Sequence, residues 1–196
     1  MITGLFKRFK NWVRFNKGKS EVIKYLWHSP GASFQKFNVG LIGSYSLKYG
    51  WGIYFARSLD EAILHNKALD HIYRLPVSKL AEDRFLSYTE TIGDQNVAEI
   101  IAAAKKFYGE KEYGNRGFDK SGQRFYSDIS ERERLKRPGR GDKRAALFLA
   151  RQGIECGVIR EYEVEIVVLY DVKLWKHAER VDLVQGADGI VRCKYS

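Results

Sequence analysis

Apolar and polar positions along the chain alternate between a helical and a strand period. In residues 1–20, Ile2, Leu5, Phe6, Phe9, Trp12 and Val13 recur at i, i+3, i+4 spacing with basic residues largely opposite, which predicts an amphipathic helix. After a polar spacer at 16–20, residues 22–27 are rich in β-branched and aromatic side chains. They predict a strand running into His28 and stopped by Pro30 and Gly31. A glycine-rich, aromatic stretch over 40–52 leads into a short strand over 52–56. Ser58, with Glu61 three residues later, is a capping box that opens a helix through about His65. Strands are expected over 71–77 and 84–90. A helix is expected over 96–108, where Ala98, Ile101, Ala102 and Phe107 keep helical spacing.

Residues 109–142 are polar, glycine-bearing and charged, and read as a long loop with at most one short helix. A helix over 143–152 is closed by Gly153. Residues 158–169 alternate with period two and predict one continuous strand, followed by a short strand over 172–175 and a hairpin around Gly186–Gly189. No internal repeat is present. The order of elements predicts an α+β fold without the regular alternation of a doubly wound sheet.

At 196 residues, 44% hydrophobic and 30% charged, the chain fits one folded domain with a short appendage, residues 21–196 after the helix of 1–20. No run approaches the ~18 consecutive apolar residues of a membrane span, and residues 1–20 lack the apolar core of a secretory signal. A cytoplasmic location, or delivery into a target cell's cytosol, is therefore expected. Cys156 and Cys193 are too few for a disulfide scaffold or a cysteine-rich zinc site. Of the net charge of +10, residues 1–20 carry +6 (six basic residues, no acid), leaving +4 for the rest. This segment suits an anionic membrane surface or nucleic acid, or else docks on its own domain with a solvated basic face.

Phosphate-loop, HExxH, CxxC and GxSxG motifs are absent, and the four histidines lack metal-ligand spacing, so no metal is expected. Three features carry candidate chemistry. His28 ends an apolar strand, where a histidine is either a hydrogen-bonded structural residue or a ligand contact. Gly50 and Gly52 bracket the entry to Ile53-Tyr54-Phe55-Ala56; such glycines allow another backbone or a flat ligand to approach, or simply serve an aromatic core strand. Glu161, Glu163 and Glu165 fall on one face of the expected late strand. Like charges ~7 Å apart repel, unless that face is merely solvated.

In this order and context, the three features resemble the ADP-ribosyltransferases of the diphtheria-toxin and poly(ADP-ribose)-polymerase class. Leu26-Trp27-His28-Ser29-Pro30 resembles the first-strand histidine motif. Gly50-Trp51-Gly52-Ile53-Tyr54-Phe55-Ala56, leading into Ser58–Ala62, resembles the GxGIYFA strand and the helix after it. Gly153-Ile154 with residues 163–171 resembles the strand bearing the catalytic glutamate. The nearest variants are transferase domains of phage and mobile-element polyvalent proteins, and the likeness covers about residues 22–175.

The resemblance implies a split β-sandwich of two small sheets around an NAD cleft, with flanking helices. It implies that His28 bonds an NAD ribose hydroxyl, that Tyr54 stacks on nicotinamide and that Glu165 is the catalytic carboxylate, with Glu163 as second candidate. His28, Ser29, Gly52, Tyr54, Phe55, Ser58 and His65 would line the NAD cleft, with NAD as substrate and no metal. Ser29 stands where the family usually has glycine, and His65 where a second stacking tyrosine often lies. The implied activity is transfer of one ADP-ribose to a macromolecular acceptor, protein or nucleic acid, in a toxin or effector. The rivals are an NAD glycohydrolase of the same fold and a non-catalytic module binding nucleic acid or an anionic surface through residues 1–20 and 132–144.

Overall fold

The computed structural model describes residues 24–30, 42, 49–64, 70–137, 140–161, 164–187 and 191–194. The expected helix of residues 1–20 lies outside them, as do His65 and Glu163. Eight strands are joined edge to edge: β1 (Tyr25–His28), β2 (Ile53–Ala56), β3 (His71–Pro76), β4 (Phe85–Ser87), β5 (Cys156–Glu161), β6 (Val164–Leu169), β7 (Glu179–Gln185) and β8 (Val191–Cys193). They run in the order β4-β5-β6-β2-β1-β3-β7-β8, one mixed ladder in which only β4 and β5 pair in parallel. Helices α1 (Leu59–Leu64), α2 (Ala98–Tyr108), α3 (Gly122–Lys136) and α4 (Gly141–Arg151) complete a mixed α+β fold. The hydrogen-bonded ladder is continuous through all eight strands. Its central seam is thin: β1 meets β2 through the single pair Trp27↔Ala56, whereas β1 and β3 share four pairs, Tyr25↔Pro76 to His28↔Tyr73.

Directly opposed residues of antiparallel strands point to the same face. One face carries Trp27, Ile72, Ile159, Ile166 and Val168 and is covered by the helices. The largest core lies there, built from Leu86, Ile100, Phe125, Ile129, Leu149, Val168 and Tyr170. Helix α1 covers Ile72, Val181, Leu183 and Cys193 at the other end of the same face. The opposite face carries Leu26, Ile53, Phe55, Leu75, Val158, Val167 and Leu169. It is covered by short turns, with Val77, Leu80, Val172, Leu174 and Trp175 packed on it.

Three expectations are corrected. Residues 158–169 are not one strand: the chain reverses between β5 and β6, which pair antiparallel from Cys156↔Leu169 to Glu161↔Val164. Same-face positions change parity at this turn, with Ile159 opposite Ile166 and Arg160 opposite Glu165, so positions two apart across the reversal do not share a face. Residues 172–175 belong to a 3-10 helix, Val172–His177, begun by the Asp171 carboxylate accepting from the Lys173 N–H. The stretch 109–142 is not a long loop but holds the fifteen-residue α3, capped by Ser121, whose hydroxyl accepts from the Arg124 N–H. Its charges hid a narrow stripe, since Gly122, Phe125, Tyr126 and Ile129 are buried at i, i+3, i+4, i+7. The terminal hairpin is present as β7 and β8, and Ser58 and Glu61 form the capping box reciprocally at α1.

Among the described residues, no helix is long and apolar enough to cross a membrane. Both cysteines are buried and free.

Candidate functional site

His28 ends β1 on the thinly covered face, in register with Tyr73 of β3. Its ring packs against Phe55 (centroids 5.7 Å apart), Tyr73 (6.3 Å) and, edge-on, Trp175 (5.3 Å). Nδ1 lies 2.8 Å from the Tyr54 carbonyl oxygen, across the thin β1–β2 seam. A carbonyl only accepts, so Nδ1 carries the hydrogen and Nε2 is the ring's acceptor. Burial lowers the His28 pKa from 6.5 to about 4, with the Tyr54 hydrogen bond opposing that shift, so the ring is neutral at pH 7.

Glu165, on β6, shares this face with Val167 and Leu169 and is only 7% exposed. Glu161 is not in line with Glu165 on one strand: it ends β5, in register with Val164. The hairpin sets Glu165 directly opposite Arg160, whose Nε donates to Oε2 at 2.8 Å. Arg57, one residue past β2, brings Nη1 to 3.8 Å of the same oxygen. The repulsion expected along a single strand is replaced by charge compensation from the flanking strands.

Two buried oxygens have no hydrogen-bond partner among the described residues, Glu165 Oε1 and Ser29 Oγ. An unsatisfied buried polar group costs ~1–3 kcal/mol, so each is a place where a ligand or water contributes a bond. Both belong to residues singled out from the sequence, and both flank the β1–β2–β6 region.

Tyr54 is placed differently. It pairs with Val168, and its ring packs on the helix-covered core, opposite the face of His28 and Glu165. Its hydroxyl donates to the Gly50 carbonyl at 2.6 Å and accepts from the Tyr49 N–H at 3.1 Å; burial pushes its pKa up to about 12. Tyr54 therefore joins the site through its main-chain carbonyl rather than its ring.

The glycines have intramolecular explanations. A Cβ at Gly50, whose φ is +95°, would lie 2.5 Å from the Tyr126 ring. One at Gly52 would lie 2.6 Å from the Leu169 carbonyl oxygen. Phe55, 1% exposed, is core on the site face, and the Ser58 hydroxyl is used in the cap of α1.

The structure thus brings His28, Phe55 and Glu165 onto one face, with Ser29 adjoining. It leaves the Tyr54 ring on the other. Arg57, Arg160, Tyr73 and Trp175 were missed. Arg57 directly follows the Gly50–Ala56 motif and Arg160 precedes the glutamates, but only the hairpin register reveals their common target. Among the described residues, no group of three or more His, Cys, Asp or Glu is placed to hold a metal ion. Comparison with protein-family models, curated proteins and solved structures finds no match.

Proposed function

We propose that this chain is an NAD-dependent ADP-ribosyltransferase that moves one ADP-ribose to a macromolecular acceptor. The observation that carries the reading is Glu165: a carboxylate held by Arg160 through Oε2, with Oε1 buried and lacking a hydrogen-bond partner among the described residues. It shares a sheet face with His28, and it is the residue to which the family resemblance gives the catalytic role.

In this reading Oε1 accepts the 2′-hydroxyl of the nicotinamide ribose. The C1′–nitrogen bond breaks, its electron pair leaves on nicotinamide, and positive charge develops on the ribose as in glycoside cleavage. The fixed carboxylate opposes that charge in a partly dehydrated setting. The acceptor's lone pair then closes on C1′, and the acceptor loses a proton. Neutral His28 offers Nε2 to a ribose hydroxyl, and Ser29 offers its N–H and Oγ to the nicotinamide carboxamide. The finer fold assignment belongs to the same proposal. The halves β4-β5-β6-β2 and β1-β3-β7-β8, joined by one residue pair, would serve as the two sheets of a split sandwich with the cleft at their seam.

Incubation with NAD and chromatographic measurement of nicotinamide tests the reading. Release that disappears in Glu165→Gln is the expected result, and no release from the intact chain overturns it. Labelled ADP-ribose retained on macromolecules identifies a transferase, and free ADP-ribose alone a glycohydrolase.

A further inference from the structure

We propose that the elbow between α3 and α4 binds nucleic acid through its phosphate backbone. Residues 131–144 contain seven basic residues against three acids, Glu131, Glu133 and Asp142, a net charge of +4. The acids do little to neutralise the elbow. Asp142 turns its carboxylate to the Ser130 hydroxyl at 2.6 Å, and Glu133 pairs with Lys136 at 2.8 Å. Among the described residues, Arg134, Arg137, Arg140, Lys143 and Arg144 have no acid within ion-pair distance.

Arg144 ties the first turns of α4 to the end of α3 by donating to the Glu133 and Arg137 carbonyls at 2.9 and 2.6 Å. Arg134, Arg137 and Arg140 are exposed on this braced support. Concentrated, uncompensated charge of this kind attracts a polyanion, and guanidinium forks match phosphate oxygens bidentately. A membrane-inserting surface needs an apolar stripe beside its charges. Here Leu135, 79% exposed, is the elbow's one large exposed hydrophobic side chain among the described residues, which favours nucleic acid over lipid.

The elbow also adjoins the β2 entry. Lys143 Nζ lies 5.3 Å from the Trp51 ring centroid, and the Tyr126 hydroxyl accepts from the Trp51 N–H while donating to the Asp142 carbonyl. A bound strand would pass close to the segment that leads into Tyr54. The inference stands whether or not the chain cleaves NAD.

The test is anisotropy of a fluorescein-labelled DNA duplex of about 20 base pairs across a salt series, using the full chain. The variant Arg134→Gln/Arg137→Gln/Arg140→Gln is compared with Lys105→Gln/Lys111→Gln/Arg180→Gln, which removes equal charge elsewhere. Loss of three phosphate contacts should make the slope of log K against log salt shallower by roughly 2–3 in the elbow variant. The control should keep its slope, and nicotinamide release should match between elbow variant and parent. Should the triple variant melt early, Arg134→Gln alone should lower the slope by about 1. Absence of duplex binding by the parent chain, equal losses in both triple variants, or elbow-dependent binding only to anionic phospholipid vesicles would overturn the proposal.

Discussion

Arg160 and Glu165 stand directly opposite each other across the β5–β6 hairpin, with Arg160 Nε 2.8 Å from Glu165 Oε2. The pair gives one carboxylate two unlike oxygens. Oε2 is held by Arg160, with Arg57 3.8 Å away, while Oε1 is buried without a hydrogen-bond partner among the described residues. Burying a carboxylate is costly unless cationic partners compensate its charge, and the two guanidinium groups supply that compensation. The arrangement therefore does two jobs, compensating charge and aiming a lone-pair donor.

If Oε1 holds the ribose hydroxyl, Glu165→Gln should lower nicotinamide release by ~10²–10³. The amide oxygen can still accept from Arg160, so the circular dichroism spectrum should be retained. Full activity in Glu165→Gln combined with loss in Glu163→Gln would move the catalytic role two residues back along the chain.

Arg160 should matter to stability. Among the described residues, Arg160→Ala leaves Glu165 with only Arg57 as a cationic partner, and an uncompensated buried charge can cost ~3–5 kcal/mol. Arg160 is itself 41% exposed, which screens the pair, so a loss of about 1–2 kcal/mol is expected from denaturant titration. Adding Glu165→Gln to Arg160→Ala should recover part of that loss. A double variant as destabilised as the sum of the two singles would show that the pair contributes no coupling.

Much of the frame was legible because its signals are local. The Ser58–Glu61 capping box, the 96–108 helix, the 71–77 strand and the terminal hairpin all follow from short-range chemistry, and all lie close to their expected places. The β5–β6 reversal was not legible. The alternation from Glu161 to Ile166 reads as one strand, and the cross-strand partner of Glu165 depends on where the chain turns. Helix α3 was hidden because only four of its fifteen residues are buried, in a segment dominated by Arg, Lys and Glu. His28 and Glu165 could be singled out, but not the face they share; that follows from a register involving three strands. Tyr54 illustrates the same limit. Adjacent strand residues point to opposite faces, so the motif could not say whether Tyr54 or Phe55 meets His28.

The glycines of the Gly50–Ala56 motif should be intolerant for packing reasons alone. A Cβ at Gly50 would strike the Tyr126 ring and sit on a backbone with φ of +95°. Gly50→Ala should destabilise by more than ~1 kcal/mol and lower the melting temperature by several degrees, whether or not NAD is present. Tyr126→Phe removes the hydroxyl that joins the Trp51 N–H to the Asp142 carbonyl and should cost about 1–3 kcal/mol. A Gly50→Ala protein as stable as the parent would show that Tyr126 moves aside freely, returning the glycine to a ligand role.

His28 should make stability depend on pH in a defined window. Its ring is neutral in the fold, with its pKa lowered from 6.5 to about 4 by burial. Above pH 6.5 both folded and unfolded chains carry a neutral imidazole, and its full contribution is present. As pH falls from 6.5 toward about 4, the unfolded chain takes up a proton that the folded ring resists, so stability is lost across that interval. Carboxylates also titrate near the lower end, so the informative quantity is the difference between the parent and His28→Asn. The asparagine amide can still donate to the Tyr54 carbonyl but does not titrate. Melting temperatures recorded between pH 7 and 4 should fall more steeply for the parent than for the variant. Parallel curves would mean that His28 takes up its proton in the fold as readily as in the unfolded chain, and that it does not present a neutral Nε2 acceptor to the ribose below pH 6.5.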